Sequence, residues 1–437
     1  MKLKRLAAIV LAALLFIVLT GCDILSLESS NLLAAPKLEG DMQPVQQALE
    51  DAVGENITLK YASSGEYRSA FILKDLNVDG QNEAIALYSV ISDSTVTLHI
   101  NLISYKDGKW KSKGDLNVVG TDVESVSFAD LNGDGTLEII VGWIIYGSVD
   151  KQVGVYNFSG ETLTQRAMEN YTDYITTDLN SDSINELTVI SLNSTEKMSS
   201  IRSFSLSTDG VVEIGAALLD GGVSSYSKPI LSTLSDGTPA VYIDAVKGSG
   251  MLTEIVWFEG GSLKSLYDQV KLETSKTYRT SLISSRDFDG DGTVDIPLLE
   301  LLKSTESLIE ADKVYITNWC SFSKKGPTLL ASTFMNYSDG YCLTIPESWK
   351  EKIFLVRKTE SRLRVYYSFD PVTQTQLGEL FRIIAVTATD YDTGSFSEEG
   401  YVQIVRNEGL VYLVKIAENN DFGITSESLK EIFTVIK

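Results

Sequence analysis

Four short stretches carry oxygen-bearing side chains at alternate positions: Asp75, Asn77 and Asp79; Asp130, Asn132 and Asp134; Asp178, Asn180 and Asp182; Asp287, Asp289 and Asp291. Each is followed at its ninth position by another acid, Glu83, Glu138, Glu186 or Asp295. Alternation aims such side chains at one centre. Glycine at position six (Gly80, Gly135, Gly292) permits a positive φ, so that the carbonyl at position seven (Gln81, Thr136, Ile184 or Thr293) can face the same centre. Hard oxygen ligands without histidine or thiolate select calcium or magnesium over zinc, and several carboxylates in a loose geometry favour calcium. The pattern begins like an EF-hand but lacks its closing glutamate, since position twelve is Ala86, Val141, Val189 or Leu298. The ninth-position acid must therefore close the site from the start of a strand. Asp, Asn and Gly also favour tight turns by themselves, but a plain turn does not need an acid at nine. Four clustered carboxylates without a cation would repel one another.

The elements that must position these side chains repeat with them. The turns begin at 75, 130, 178 and 287, and the doubled last gap holds "STLSDGTPAVY" from Ser232, which fits the frame while keeping only Asp236 and Gly237. With Ser232, Leu234 and Ala240 at ligand positions, no metal is expected there. A second series of strand, glycine and strand interleaves with the first, around Gly108, Gly160, Gly210, Gly260 and Gly326. One strand into each acidic turn, one out of it and two from the hairpin make a four-stranded propeller blade. A fixed period near fifty residues predicts about five blades, with a stacked β-solenoid as the main alternative.

These residues resemble the FG-GAP or VCBS-type calcium repeats of integrin α-chain propellers and many bacterial surface proteins. The order "PKLEGDMQPVQQALE", "SGEYRSAF" and then the turns further resembles surface lipoproteins of clostridia and their relatives, over roughly residues 30 to 330. The resemblance implies a calcium-braced propeller that serves as an extracellular binding or adhesion module. Ser183 departs from the pattern by replacing the glycine of the third turn, which leaves metal occupancy there open.

Lys2, Lys4 and Arg5 precede an apolar run from Leu6 to Thr20, the form of an export signal. As a helix the run spans roughly 22 Å, short of the roughly 30 Å hydrocarbon core, so a permanent membrane span is the weaker reading. Leu19-Thr20-Gly21-Cys22 resembles the bacterial lipoprotein box, which implies covalent lipid on Cys22 and an extracytoplasmic, membrane-anchored chain. The expected organisation is a signal peptide over 1–21, a polar tether over 22–40, a propeller over 41–333 and an α+β domain over 334–437. A short helix with Val45, Ala48, Leu49 and Ala52 on its apolar face opens the propeller. In the last domain, strands precede a helix with Leu429, Ile432, Phe433 and Ile436 on one face. Its aromatic residues Trp349, Tyr366, Tyr367 and Tyr401 read as core. Cys320 and Cys342 either form one disulfide or stay as two buried thiols, a choice that rests on their Cα separation.

The net charge of -22 argues against a nucleic-acid partner and against adhesion to anionic lipid through the protein's own face, so the lipid must supply the attachment. A Ser-His-Asp hydrolase has little to build on, with His99 the sole histidine and no Gly-x-Ser-x-Gly elbow. His99 is either a solvated strand residue or a satisfied core one. Ser194 to Lys197 and Ser321 to Lys324 match Ser-x-x-Lys without the companion elements of that enzyme class. Paired carboxylates of a glycosidase leave no local signature. The preferred reading is a binding module for a glycan, peptide or protein; the alternative is a carbohydrate-active enzyme with paired acids in the propeller cleft.

Overall fold

The structure is a computed structural model that describes residues 42–436 apart from 93–94, 146–150, 160–161, 208–209, 268–275, 359–360, 395 and 408. The signal segment, Cys22 and the tether lie outside the described residues. Among the described residues no helix is long and apolar enough to cross a membrane.

Five antiparallel, blade-like sheets follow one another along the chain. In the first, Thr58–Leu59 and Phe71–Lys74 both pair with Glu83–Ser92, which continues to Thr95–Lys106 and Lys109–Val118. The second runs Asp122–Ala129, Glu138–Ile144, Lys151–Phe158, Leu163–Tyr171, and the third Asp173–Thr177, Glu186–Asn193, Met198–Ser207, Gly210–Leu219. In the fourth, Ser225–Tyr226 and Ile230–Thr233 share the inner edge of Pro239–Lys247, followed by Gly250–Glu259 and Ser262–Ser265. The fifth comprises Ile296–Leu301, Tyr315–Ser323, Gly326–Asn336, Tyr341–Thr344 and Phe433–Val435, its leading strand reduced to the bridge between Arg286 and Asp295. The expected blade count and the four-strand unit agree with this arrangement.

Burial explains the strand types. The second strand of a blade packs on both faces, so Glu138–Ile144 is buried at all but its last position and reads as a continuous apolar run. The outer strand Lys109–Val118 keeps many exposed polar residues. Where the third and fourth strands meet, a bulge recurs at Leu102/Ile103, Val155/Tyr156, Ser203/Phe204 and Trp319/Cys320, adding twist at the same place in four blades.

Successive blades share cores. Ile85, Leu98 and Ile100 meet Ile139, Trp143 and Tyr156 between blades one and two. Ile140 and Val155 meet Val189 and Phe204 at the next joint. Ile190 and Ile201 meet Ile243 and Val256, and Tyr242 and Ile255 meet Ile296 and Phe322. The two end faces are covered differently. Helix Gln43–Val53 lays Val45, Ala48 and Leu49 on Phe71, Ala84 and Tyr88 of the first blade. The C-terminal sheet packs Tyr366, Phe381 and Tyr412 against Phe334, Tyr341 and Leu343 of the fifth.

That C-terminal unit is α+β, as expected. Its sheet has the order Ile353–Lys358, Leu363–Asp370, Thr375–Thr387, Leu410–Ile416, Val402–Asn407, with short helices Ala388–Thr393 and Ser426–Ile432. Trp349 and Tyr366 are core, whereas Tyr367 and Tyr401 are half-buried.

Two expectations are corrected and one open choice is decided. The boundary at 333/334 falls inside strand Gly326–Asn336, because the fifth blade runs on to Thr344. The last helix ends at Ile432, and Phe433 begins a strand, since its ring stacks with Tyr341 at a 5.0 Å centroid separation and draws the segment onto the fifth blade. Cys320 and Cys342 are both free and buried. They lie on two strands separated by a third, where Cys320 faces Leu329 and Cys342 faces Met335. Two strand spacings alone are about 9.5 Å, beyond the roughly 7 Å a disulfide tolerates. His99 is satisfied, bonded to Asp115 Oδ2 at 2.8 Å and to Thr97 at 3.0 Å while stacking on Tyr88.

Candidate metal centres

Each acidic turn bridges the same register: Lys74 to Glu83, Ala129 to Glu138, Thr177 to Glu186, and Arg286 to Asp295. Eight residues lie between, and their amides are gathered by the acids. The first aspartate accepts the position-six N–H in every case, at 2.9 Å for Gly80 and Gly135, 2.8 Å for Ser183 and 3.0 Å for Gly292. The position-five carboxylate accepts the position-seven N–H, at 2.8, 2.7, 2.8 and 2.7 Å along the series. The backbone is left-handed at position six and also at position four, where Val78, Gly133, Ser181 and Gly290 have φ of 57°, 75°, 64° and 82°. Sequence reading found the first of these and missed the second, because Val and Ser give no glycine signal.

The ninth-position acid starts the outgoing strand at Glu83, Glu138 and Glu186, and at Asp295 it forms the bridge immediately before the strand. It is buried in all four turns and accepts the N–H of the residue at position two: Leu76, Leu131, Leu179 or Phe288, at 3.1, 2.8, 2.9 and 3.0 Å. Burial raises the carboxyl pKa of Glu83 and Glu138, pushes Glu186 up to about 7 and Asp295 up to about 6, with the neighbouring aspartates adding to the effect and the position-two N–H opposing it. In each case a buried carboxylate resists its own charge.

The turns differ in how that charge is answered. In the second, Glu138 Oε1 accepts Asn157 Nδ2 at 2.9 Å and Asn132 Nδ2 at 3.2 Å. In the fifth, Asp289 stands where the others have asparagine, and Asp295 Oδ1 is buried with no hydrogen-bond partner. Oxygens of Asp287, Asp289 and Asp295 lie within 4.8 Å of one another, as do those of Asp178, Asp182 and Glu186. Such an oxygen set fits a hard cation.

The fourth turn is shorter than the sequence frame implies. Thr233 pairs with Pro239, leaving five residues between, and the turn closes through Leu234 N–H to Thr238 O and Gly237 N–H to Leu234 O, both at 2.8 Å. Ser232 and Ala240, aligned by sequence to positions one and nine, are direct strand partners. The short turn thus lacks the eight-residue span of the others as well as their acids.

The turns also join blades. Leu137 N–H donates to Leu76 O at 2.8 Å, Leu206 N–H to Leu131 O at 3.0 Å, and Ser235 N–H to Phe322 O at 2.8 Å. The side chains of Leu76, Leu131, Leu179 and Leu234 are all buried in these joints.

One further arrangement had no local signature. Glu124, Asp173 and Lys228 line one cavity of about 370 Å³ on the inner strands of the blades. These residues come from three separate segments, so no spacing rule could have found them.

Residues 75–141 match the FG-GAP-like repeat family, a stretch that spans the first two acidic turns. No curated protein sequence matches the chain. Among solved structures, the chain is similar to a Bacillus licheniformis rhamnogalacturonan lyase at 11% identity and a TM-score of 0.32, covering 74% of this chain and 76% of that one. It is also similar to the periplasmic gluconolactonase of Pseudomonas aeruginosa (10%, TM-score 0.29, 74% and 94% covered) and to the Dos1 propeller (8%, TM-score 0.26, 83% and 93% covered). Residues 75–141 are thus FG-GAP-like, and the blade-like array rests on the chain's own antiparallel sheets; likenesses this distant carry no argument about activity.

Proposed function

We propose that the chain is a membrane-anchored, extracytoplasmic binding module whose blades are braced by calcium at about four turns, the ion count following the number of complete oxygen sets. The buried Asp295 Oδ1, to which no described protein group donates, is the observation that carries the calcium reading, since a desolvated carboxylate oxygen without a donor is suited to a cation. Because the first two acidic turns bond to the next blade, and the third and fifth to the one before, an ion in any of them would stiffen a joint and hold the array's surfaces in fixed relation. Lipid on Cys22 would set this module at the membrane surface and leave its loops free to meet a glycan, peptide or protein.

Calorimetry on chelator-stripped protein tests the first part, with uptake of calcium at complete turns expected and no uptake overturning it. Cys22→Ala should release the protein from membranes or leave an uncleaved precursor; unchanged detergent partition would remove the anchor. A glycan array followed by product analysis on any hit separates binding from turnover. The enzymatic alternative is favoured by one observation, that Glu124 and Asp173 share a cavity, and product from any bound glycan would establish it.

A further inference from the structure

The cavity on the inner strands is built by four blades. Its walls are the segment before Phe71 in the first, Glu124 to Ser127 in the second, Asp173 to Thr176 in the third, and Lys228 to Leu231 in the fourth. At about 370 Å³ it falls within the ~300–1,000 Å³ range of small-molecule sites. Strand Asp173–Thr177 ends its sheet, so its inner edge brings main-chain donors and acceptors to the cavity.

The side chains divide into a fixed part and an open part. Glu124 is committed on both oxygens, one to Lys151 Nζ at 2.6 Å and the other to the Tyr171 hydroxyl. Ser125 and Tyr174 share a hydroxyl pair at 3.0 Å, and hydroxyls can donate and accept at once. Asp173 uses Oδ1 to accept the Tyr174 N–H at 2.8 Å, and Lys228 is exposed at the rim. With Glu124 and Lys151 paired to each other, Glu66 and Asp173 remain against Lys228, an excess of one acid.

We propose that this cavity binds a neutral saccharide, with Asp173 and Tyr174 as its principal contacts. Three features lead to that class. The walls carry the hydroxyls of Ser125, Ser127, Tyr174 and Thr176 beside the carboxylates of Glu66 and Asp173, and a ligand bearing many hydroxyls answers both donors and acceptors. The acidic excess disfavours anions, including uronates and phosphates. The Asp173 carboxyl is held above its ordinary pKa chiefly by burial, and a hydroxyl donating to it replaces lost water without importing charge. The proposal rests on the reading of the chain as a binding module and adds to it a location and a ligand class.

The test is titration calorimetry of the full-length protein with calcium present, using trisaccharides of glucose, galactose, xylose and N-acetylglucosamine, the matching uronate oligomers, and a short lysine peptide. A neutral trisaccharide should bind, its uronate counterpart should bind at least about tenfold more weakly, and Asp173→Asn and Tyr174→Phe should each weaken binding about tenfold. Melting temperatures verify that the variants fold, and Lys228→Ala at the exposed rim serves as a third variant if Asp173→Asn does not. Saccharide binding that all folded variants retain would move the site elsewhere and leave the binding-module reading intact. Tighter binding of uronates or of the lysine peptide would overturn the ligand class, and no binding by any probe to folded protein would overturn the assignment altogether.

Discussion

The second and fourth turns of the array stand at equivalent places and are built differently. The second spends eight residues between Ala129 and Glu138 and carries Asp130, Asp134 and the buried Glu138; the fourth crosses from Thr233 to Pro239 in five and has one exposed aspartate, Asp236. Both bury a leucine in the joint to the next blade, Leu131 at 2% exposure and Leu234 at 1%, and both bond to that blade through the main chain. Turning the chain and packing the joint therefore do not require the acids. What the longer turn adds is a buried ninth-position carboxylate and the partners arrayed around it, a feature that raises the cost of folding unless a cation is present.

The largest effects should be those the two turns share. Leu131→Ala and Leu234→Ala should each cost about 2–5 kcal/mol, the range for truncating a buried leucine, and chelation should change the Leu234→Ala loss little. A urea titration with and without chelator measures this; a Leu234→Ala loss that vanished in chelator would break the comparison. Next in size is the ion itself. Calcium at a hundred times its dissociation constant should stabilise by about 2.7 kcal/mol per occupied site, seen as a rise in melting temperature. Asp134→Ala should delete one site from the stoichiometry, while Asp236→Ala should leave the count unchanged; equal losses from the two would return the acidic turns to plain β-turns.

A sharper version uses Asp295→Asn. The amide oxygen can still accept the Phe288 N–H, but the buried charge is gone. Without calcium the variant should be at least as stable as the parent, because burial and the neighbouring aspartates disfavour the charged carboxylate. With saturating calcium it should be less stable, so the sign of the difference should reverse on adding the ion. The smallest expected effect is at Ser183, which holds φ of 73° where the other complete turns have glycine. Ser183→Gly should stabilise by about 1 kcal/mol or less through relief of the left-handed conformation, and a loss there would show that its side chain carries another role. Iodoacetamide should modify Cys320 and Cys342 quantitatively in the unfolded, non-reduced protein, as two free thiols require.

Much of this was legible in the sequence because repetition multiplies a weak signal. The spacing of Asp130, Asn132, Asp134 and Glu138 gave the turn, its recurrence gave the blades, and Glu138 does begin the outgoing strand. The fourth turn was misaligned because Asp236-Gly237 preserved the frame's two commonest turn residues while three residues had been lost nearby. Phe433 continues a helical apolar pattern from Leu429, but a tertiary partner, the ring of Tyr341, overrides that local periodicity. The disulfide question failed for a related reason, since strand order and register were needed to see that Met335 and Leu329 occupy positions beside the two thiols. The inner cavity lay beyond reach because Glu124, Asp173 and Lys228 are brought together only by the relative placement of blades.

The strand Phe433–Val435 has a consequence for how the molecule is made. It completes the edge of the fifth blade by pairing Leu343 with Phe433 and Tyr341 with Val435, partners some ninety residues apart. Until residue 433 has been synthesised, Tyr341–Thr344 presents an unpaired strand edge, the type of surface that invites wrong pairing. The whole C-terminal sheet must also be in place, since Tyr366, Phe381 and Phe433 belong to the same core. Each blade can form its joint as it emerges, needing only its neighbour, whereas the outer edge of the fifth has to wait. A chain broken anywhere between 345 and 432 would retain four well-made joints and still expose the edge by which a quality-control protease could recognise it as unfinished.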